Sequence, residues 1–294
     1  MIPPRVDASV LTVRRQFEMR AARYAAHDAV VREVAARMFG RLSCMRLAAE
    51  RVLDLGCGRG PCRRALLQHF PSARWLGVDL SEAMLRAARE AGRAPGWLRL
   101  RGRGDAPMRV CASAERLPLP DACVDVVFSN LMLHWHPAPH EVIAEAARVL
   151  RTGGLLLFSS YGPDTIKELR AACLSALPGA QPMPFVDMHD LGDMMITAGF
   201  EAPVMEAEVL RLSFAGARAL LAEARALGGN PRSERMRHLV SGAQARALLG
   251  TLQAQSDAQG RIGLSFEIVI GHGWKGAPRR PGVHVVAPPR PSRK

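Results

Sequence analysis

The sequence predicts an α/β fold: a mostly parallel, seven-stranded sheet with helices on both faces. Three observations predict it. Between residues 50 and 160, short apolar runs alternate with amphipathic stretches, and alternation of strand and helix argues for parallel strands joined by right-handed crossovers. The first strand runs into Val52-Leu53-Asp54-Leu55-Gly56-Cys57-Gly58-Arg59-Gly60, a glycine-rich turn followed by a helix. Such a turn lets the backbone approach a ligand closely and aims N–H groups at it. Nineteen residues after Gly60, the second strand ends in Asp79, where a carboxylate is placed to accept both hydroxyls of a ribose. Together these features describe a nucleoside-binding half-fold.

The elements follow in order. Phe17, Tyr24, Val31, Val34, Met38 and Leu42 recur at helical spacing, so residues 13–47 read as helical. Strands are expected at 52–55, 75–78, 108–112, 124–129 and 155–159. The runs Val126-Val127-Phe128 and Leu155-Leu156-Leu157-Phe158 suit strands covered on both faces. Pro61 fits the first turn of a helix, where its missing N–H costs nothing. Ser81 caps a helix over 81–90, and residues 140–150 form another that Gly153-Gly154 ends. Beyond Tyr161, helices are expected at 165–177, 190–198 (stopped by Gly199), 215–227 and 243–255, with strands at 204–214 and 261–270. The organisation is then a helical cap over 1–48, a core over 49–160, a C-terminal part with a helical lid over 161–275, and a Pro/Arg-rich tail over 276–294 that reads as mobile. Within the tail, residues 283–286 could add a short edge strand. Residues 99–104 form an arginine-rich loop.

At 294 residues the chain can bury a full core. No apolar run reaches the length of a membrane span, and Met1-Ile2-Pro3-Pro4-Arg5 lacks a signal peptide's apolar stretch, so a cytoplasmic protein is expected. The six cysteines are scattered and read as reduced, buried thiols; Cys57 and Cys62 have no second pair at zinc spacing, so no metal is expected. The net charge of +13 comes almost entirely from arginine, since only Lys167, Lys275 and Lys294 are lysines. A basic surface favours an acidic partner, whether nucleic acid, anionic lipid or protein.

The glycine spacing decides which nucleoside. A dinucleotide fingerprint places its third glycine at the position of Pro61, whereas here that glycine comes one residue early, at Gly60. Asp54-x-Gly56-x-Gly58-x-Gly60 instead resembles the first motif of class I S-adenosylmethionine (SAM) methyltransferases, whose Rossmann-like fold the match over residues 50–160 implies. Further segments resemble the malonyl-[acyl-carrier protein] O-methyltransferases of biotin synthesis, the BioC type. These are Phe17 to Tyr24, Ser129-Asn130-Leu131-Met132-Leu133-His134-Trp135, Gly162-Pro163-Asp164-Thr165-Ile166-Lys167-Glu168-Leu169-Arg170, residues 185–193 and residues 264–274.

That resemblance implies a SAM site made by Asp54, Gly56, Cys57, Gly58 and Gly60 around the methionine part, with the helix after Pro61 turning its positive end to the carboxylate. Asp79 takes the ribose and Leu80 packs on adenine. Ser113-Ala114-Glu115 stands where the family often carries an acidic residue for the adenine amino group, with Ser113 in place of the usual Asp. Tyr24 covers the cofactor, Asn130 lies near the transferable methyl, and Arg170 is the candidate for binding the acceptor carboxylate. The implied reaction esterifies the free carboxyl of a malonyl thioester on acyl carrier protein, or of malonyl-CoA. Hiding that charge lets the chain-extension enzymes of fatty-acid synthesis accept the unit. The implied protein is a monomer whose partner is the acidic carrier, with no nucleic acid and no membrane. Trp135 and Pro137 suggest that His134, His136 and His140 belong to a packed loop. Two other readings stay open at this point. The Asp-Thr-x-x-Glu-Leu-Arg and His-Asp-Leu-Gly signatures also resemble a mitochondrial complex I assembly factor, a protein-arginine hydroxylase in a methyltransferase fold. The charge alone would suit a nucleic-acid-associated SAM-binding protein, although aromatic residues for a stacking platform are few.

Overall fold

In the computed structural model of the chain, residues 8–91, 108–228 and 240–277 are described. One seven-stranded sheet organises them. Its strands are β1 (Arg51–Leu55), β2 (Arg74–Asp79), β3 (Met108–Cys111), β4 (Val124–Ser129), β5 (Leu150–Tyr161), β6 (Phe200–Phe214) and β7 (Ile262–Lys275). Their spatial order is β3-β2-β1-β4-β5-β7-β6, and all neighbours are parallel except β7, which runs antiparallel to β5 and β6. The helices are α1 (Ala8–Arg20), α2 (Ala29–Leu42), α3 (Arg63–His69), α4 (Glu82–Ala91), α5 (Pro139–Val149), α6 (Lys167–Ala176), α7 (Met188–Thr197), α8 (Ala217–Leu227) and α9 (Gly242–Gln253).

The central strands are buried on both faces, as their continuous apolar runs require. Val52, Val126, Phe128 and Leu157 face a cluster that includes α2, α8 and α9. Leu53, Val127 and Leu156 face the opposite cluster, with α5 and α7. The sheet's polar ends are therefore the only places where parallel strands can present chemistry, and the C-terminal ends of β1, β2 and β4 meet at the centre.

Several elements differ from expectation in ways that matter. The helical stretch over 13–47 is broken: α1 and α2 are separated by a short 3-10 turn, Tyr24–Ala26. Tyr24 is thereby lifted out of helical register and set over the sheet edge. Gly153 and Gly154 do not end a helix but lie inside β5, where Gly153 takes φ +77° and a Cβ on Gly154 would meet the Arg151 and Asp125 carbonyls at 2.9 Å. Pro61 precedes α3 by two residues rather than opening it. Ser81 does cap α4, its Oγ accepting from the Met84 N–H at 3.2 Å. Of the cysteines, Cys57 and Cys62 are buried, Cys123 and Cys173 partly so, and Cys44 and Cys111 are exposed, which corrects the expectation of general burial. No helix among the described residues is long and apolar enough to cross a membrane. The arginine-rich loop over 99–104 and the tail strand over 283–286 lie outside the described residues.

Behind the first turn, Gly77 of β2 makes room for two large neighbours. A Cβ there would fall 2.2 Å from the Trp75 ring and 2.8 Å from Cys57 Sγ. Trp75 uses that space to donate from Nε1 to Asp54 Oδ2 at 3.3 Å. Gly77→Ala is expected to overpack this layer and cost about 1–3 kcal/mol. Urea unfolding measures it, and an unchanged midpoint with an unchanged slope would contradict the packing account.

Candidate active site

The turn after β1 is folded back onto the end of β2. The N–H groups of Gly56 and Cys57 both donate to the Val78 carbonyl, at 2.8 and 3.0 Å. The Gly58 N–H donates to Asp79 Oδ2 at 2.8 Å, and the Ser81 N–H to Asp79 Oδ1 at 2.8 Å. Gly56, Gly58 and Gly60 have φ of +76°, +52° and +77°, which only glycine adopts without strain. The expectation that the turn aims free N–H groups at a ligand is therefore corrected. The amides of Gly56, Cys57 and Gly58, and that of Gly60 (to the Cys57 carbonyl at 2.8 Å), are spent inside the protein. What the turn offers is close approach. A Cβ on Gly58 or Gly60 would meet nothing within 4 Å, whereas one on Gly56 would strike Met132 at 2.4 Å.

An open cleft of about 730 Å³ lies over this turn. Gly56 and Gly58 line it from β1, Asp79 and Leu80 from β2, Ser113 and Ala114 from the end of β3, and Asn130 and Met132 from the end of β4. Val10, Val13 and Phe17 of α1, with Tyr24, close it from above. Of the residues singled out in the sequence, Tyr24, Gly56, Gly58, Asp79, Leu80, Ser113, Ala114 and Asn130 thus come together. The others stand apart. Asp54 is 2 % exposed and works from behind, through Trp75. Cys57 is buried in the core, and Gly60 shapes the turn. Glu115 accepts from Ser113 Oγ and lies 3.0 Å from His136 Nε2, so the Ser113–Glu115 pair forms one polar corner. Arg170 is not in this cleft at all; it lines a second cavity and donates to the Pro163 carbonyl.

Asn130 is fully engaged. Its Nδ2 donates to the Val31 carbonyl of α2 at 2.9 Å, and its Oδ1 accepts from Ser159 Oγ at 2.8 Å, which itself accepts from the Leu131 N–H at 2.9 Å. Asn130 therefore ties the N-terminal cap to the strand ends while one edge faces the cleft. Leu131 beside it takes φ +49°, a left-handed conformation held by that network. Sequence reasoning missed Val10, Val13, Met132 and Trp135 as cleft residues. Only their proximity to motif residues hinted at them, because apolar positions in a helix or turn read as core.

Electrostatics follow burial. Burial pushes the Asp79 carboxyl up to about 6, against the opposing hydrogen bonds from Ser81 and Gly58. Asp54 is raised to about 7, again by burial. The Tyr24 phenol is pushed up to about 12 by burial and by the neighbouring carboxylates Asp79 and Asp28. His134 is driven down to about 3 by burial and is a neutral imidazole at physiological pH.

The second cavity is larger, open, about 1180 Å³ and apolar. It lies beneath α6 and α8 and shares Trp135 with the cleft. The Trp135 ring packs edge-on against Phe17 at 5.3 Å and presses on Gly228, where a Cβ would sit 2.2 Å from the ring. The Gly162–Arg170 segment hangs on β7 by a dense set of bonds. The Asp164 N–H reaches Glu267 Oε2 at 2.6 Å, Thr165 Oγ1 donates to the Glu267 carbonyl at 3.0 Å, and Glu168 accepts from the Ser265 N–H at 3.0 Å and from its Oγ at 2.5 Å. Those motif residues are joints that hold the cavity wall.

The residues present fit a nucleoside. Asp79 spends one lone pair of each oxygen on backbone N–H groups and keeps the others for hydroxyls, beside a glycine cradle open to the cleft. Comparison with known proteins agrees. A methyltransferase domain family matches residues 53–158. The YcgJ protein of Bacillus subtilis shares the fold, with a TM-score of 0.57 at 18% identity over 82% of this chain and 99% of that one. Fold and site together define a class I methyltransferase that uses S-adenosylmethionine. The malonyl-[acyl-carrier protein] O-methyltransferase of Laribacter hongkongensis is 40% identical over 91% of this chain and 90% of its own length. That of Methylovorus sp. is 37% identical over 90% and 88%. The chain belongs to this malonyl-[acyl-carrier protein] O-methyltransferase family.

Asp79→Ala is expected to weaken SAM binding about tenfold or more while the sheet survives, since it removes both the anchor of the two loops and the acceptors this site would offer to a ribose. Unchanged affinity by calorimetry would contradict the assignment. A pH series sharpens the test. Hydroxyls donate to the ionised form, and Asp79 with its value near 6 is ionised only above that pH. Affinity should be level above that pH and fall on acidification through it. Asp54 titrates in the same range, so Asp79→Asn, which should abolish the dependence, separates the two.

Proposed function

We propose that the protein transfers the methyl group of SAM to the free carboxylate of a malonyl thioester, carried on acyl carrier protein or on coenzyme A, giving the methyl ester used in biotin synthesis in the cytoplasm. The observation that carries this reading is the 40% identity with the Laribacter enzyme across nearly the whole of both chains, lid segments included. When bound, SAM supplies an electrophilic sulfonium methyl. The chain's own residues have the remaining tasks. Asp79 holds the ribose, the Ser113–Glu115 corner faces the base, and Leu80 supports it. Tyr24, Phe17 and Trp135 roof the cleft and keep water out. A carboxylate is already an anion at neutral pH, so no base is required, and alignment in a dry site supplies the rate.

In this reading the 1–48 cap and the 161–275 lid are functional parts. They meet above the sheet edge, where His27 of the cap lies 2.9 Å from Glu223 of α8. Arg170, in the second cavity, spends one N–H on Pro163 and keeps others for an anionic part of the acceptor. Many arginines pair internally, such as Arg37 with Glu208 and Arg41 with Glu206, which bind α2 to β6. Each such pair is neutral, so the net charge of +13 stands undiminished to steer an acidic carrier.

Incubation with labelled SAM and malonyl carrier protein or malonyl-CoA tests the reading. A base-labile methyl ester is expected. Absence of ester with both acceptors, with an arginine peptide hydroxylated instead, would contradict it. The carrier reaction should weaken as salt rises, because exposed charges reach only about 8 Å at physiological ionic strength. Malonyl-CoA lacks the carrier surface and should respond differently; equal salt dependence of both reactions would remove the electrostatic role.

A further inference from the structure

Among the described residues, His134 has no hydrogen-bond partner for its ring, which stands at the junction of the two cavities. Neither Nδ1 nor Nε2 has a hydrogen-bond partner, and both atoms are buried. The ring is held by aromatic neighbours alone, with Tyr161 at 4.3 Å, Trp135 at 5.0 Å and Phe185 at 6.0 Å between centroids. It lines the second cavity, and its neighbour Trp135 lines both that cavity and the SAM cleft. Buried polar groups are nearly always paired, so an imidazole kept here with both nitrogens unpaired calls for a partner that arrives later.

The chemistry of the acceptor supplies one, and this step rests on the function proposed above. In a malonyl thioester one methylene separates the carboxylate from the thioester carbonyl. With the carboxylate in the SAM cleft, the thioester stands at the junction and the amide-bearing arm runs into the second cavity. That cavity is apolar, wide and bordered by Tyr161, Ile166, Leu169 and Phe185. We propose that His134 is a positioning residue for the acceptor: as the thioester arm enters the second cavity, the imidazole turns its shielded nitrogens onto it, donating to a carbonyl and accepting from an arm amide, and so fixes how deeply the malonyl unit enters. A neutral imidazole offers one donor and one acceptor, which matches a thioester–amide chain and does not compete for the carboxylate. Its neutrality follows from the same aromatic burial that strips it of partners.

The test compares His134→Phe with His134→Gln. Phenylalanine fills the aromatic slot without hydrogen bonds, whereas glutamine keeps a donor and an acceptor. For His134→Phe, KM for malonyl carrier protein should rise about tenfold or more, the loss of one or two hydrogen bonds, with kcat within about threefold. Malonyl-CoA, which has the same arm, should lose equally. SAM affinity should be unchanged, and the melting temperature unchanged or higher, because two unpaired buried nitrogens are gone. His134→Gln should recover most of the KM. An unchanged KM in His134→Phe would overturn the assignment. So would a parallel fall in SAM affinity, kcat and melting temperature with His134→Gln no better, since that is the pattern of a packing residue. Should the wild-type protein methylate neither malonyl acceptor, the proposed function fails and this inference with it; an active wild type with an indifferent His134→Phe defeats the inference alone.

Discussion

The carboxylate of Asp79 holds the architecture of the site together. Its two oxygens accept from Gly58 in the first turn and Ser81 in the second, so a single side chain at the end of β2 fixes both loops at the sheet's centre. The Val78 carbonyl beside it takes the two preceding turn amides, those of Gly56 and Cys57. With the amides of Gly56, Cys57, Gly58 and Gly60 bonded internally, the loop's shape is set by the protein's own bonds and offers a ligand a preformed concave surface. Such preorganisation avoids an ordering cost on binding. It also buries the carboxyl enough to raise its proton affinity, a cost that the hydroxyls of a ribose would offset.

A second level of organisation surrounds that centre. The N-terminal helices are anchored by Asn130 and by arginine pairs to β6, and the C-terminal helices by Glu168, Thr165 and Glu267 on β7. Exposed ion pairs contribute little each, so the anchoring rests chiefly on the part-buried hydrogen bonds of Asn130, Thr165 and Glu168 and on the apolar faces of α2 and α6. The two additions meet around Trp135, which partitions the space into a nucleoside cleft and an apolar cavity. In the proposed transfer this division would give the donor and the long-armed acceptor a pocket each, with Trp135 as the shared wall.

Much of this was legible in the sequence, and the reasons are specific. The seven strands were recoverable because apolar runs such as residues 126–128 and 155–158 have no other place in a fold of this size. Asp79 and the glycines were recoverable because positive φ and a strand-end carboxylate are expensive unless used. Resemblance assigned the motif after Tyr161 to the family, but not the task of its residues. Thr165 and Glu168 bond to β7, a contact about a hundred positions away that no local pattern announces. Arg170 was expected at the acceptor carboxylate; it lines the second cavity from α6, which follows the left-handed Ile166, φ +51°, a placement no local pattern fixes. The break that delivers Tyr24 was hidden as well, since Phe17, Tyr24 and Val31 keep an unbroken seven-residue spacing. Trp135 and His134 read as loop packing, and both rings are packed against aromatic neighbours; that this loop also borders two cavities depends on where α8 and Phe185 arrive in space.

A crystal structure of the protein with S-adenosylhomocysteine tests the central claim most directly. The account predicts the ribose hydroxyls on the Asp79 carboxylate, the adenine between Leu80 and the Ser113–Glu115 corner, and the sulfur turned toward Trp135 and the mouth of the second cavity. A nucleoside bound elsewhere, or one in this cleft whose ribose leaves Asp79 untouched, would contradict it.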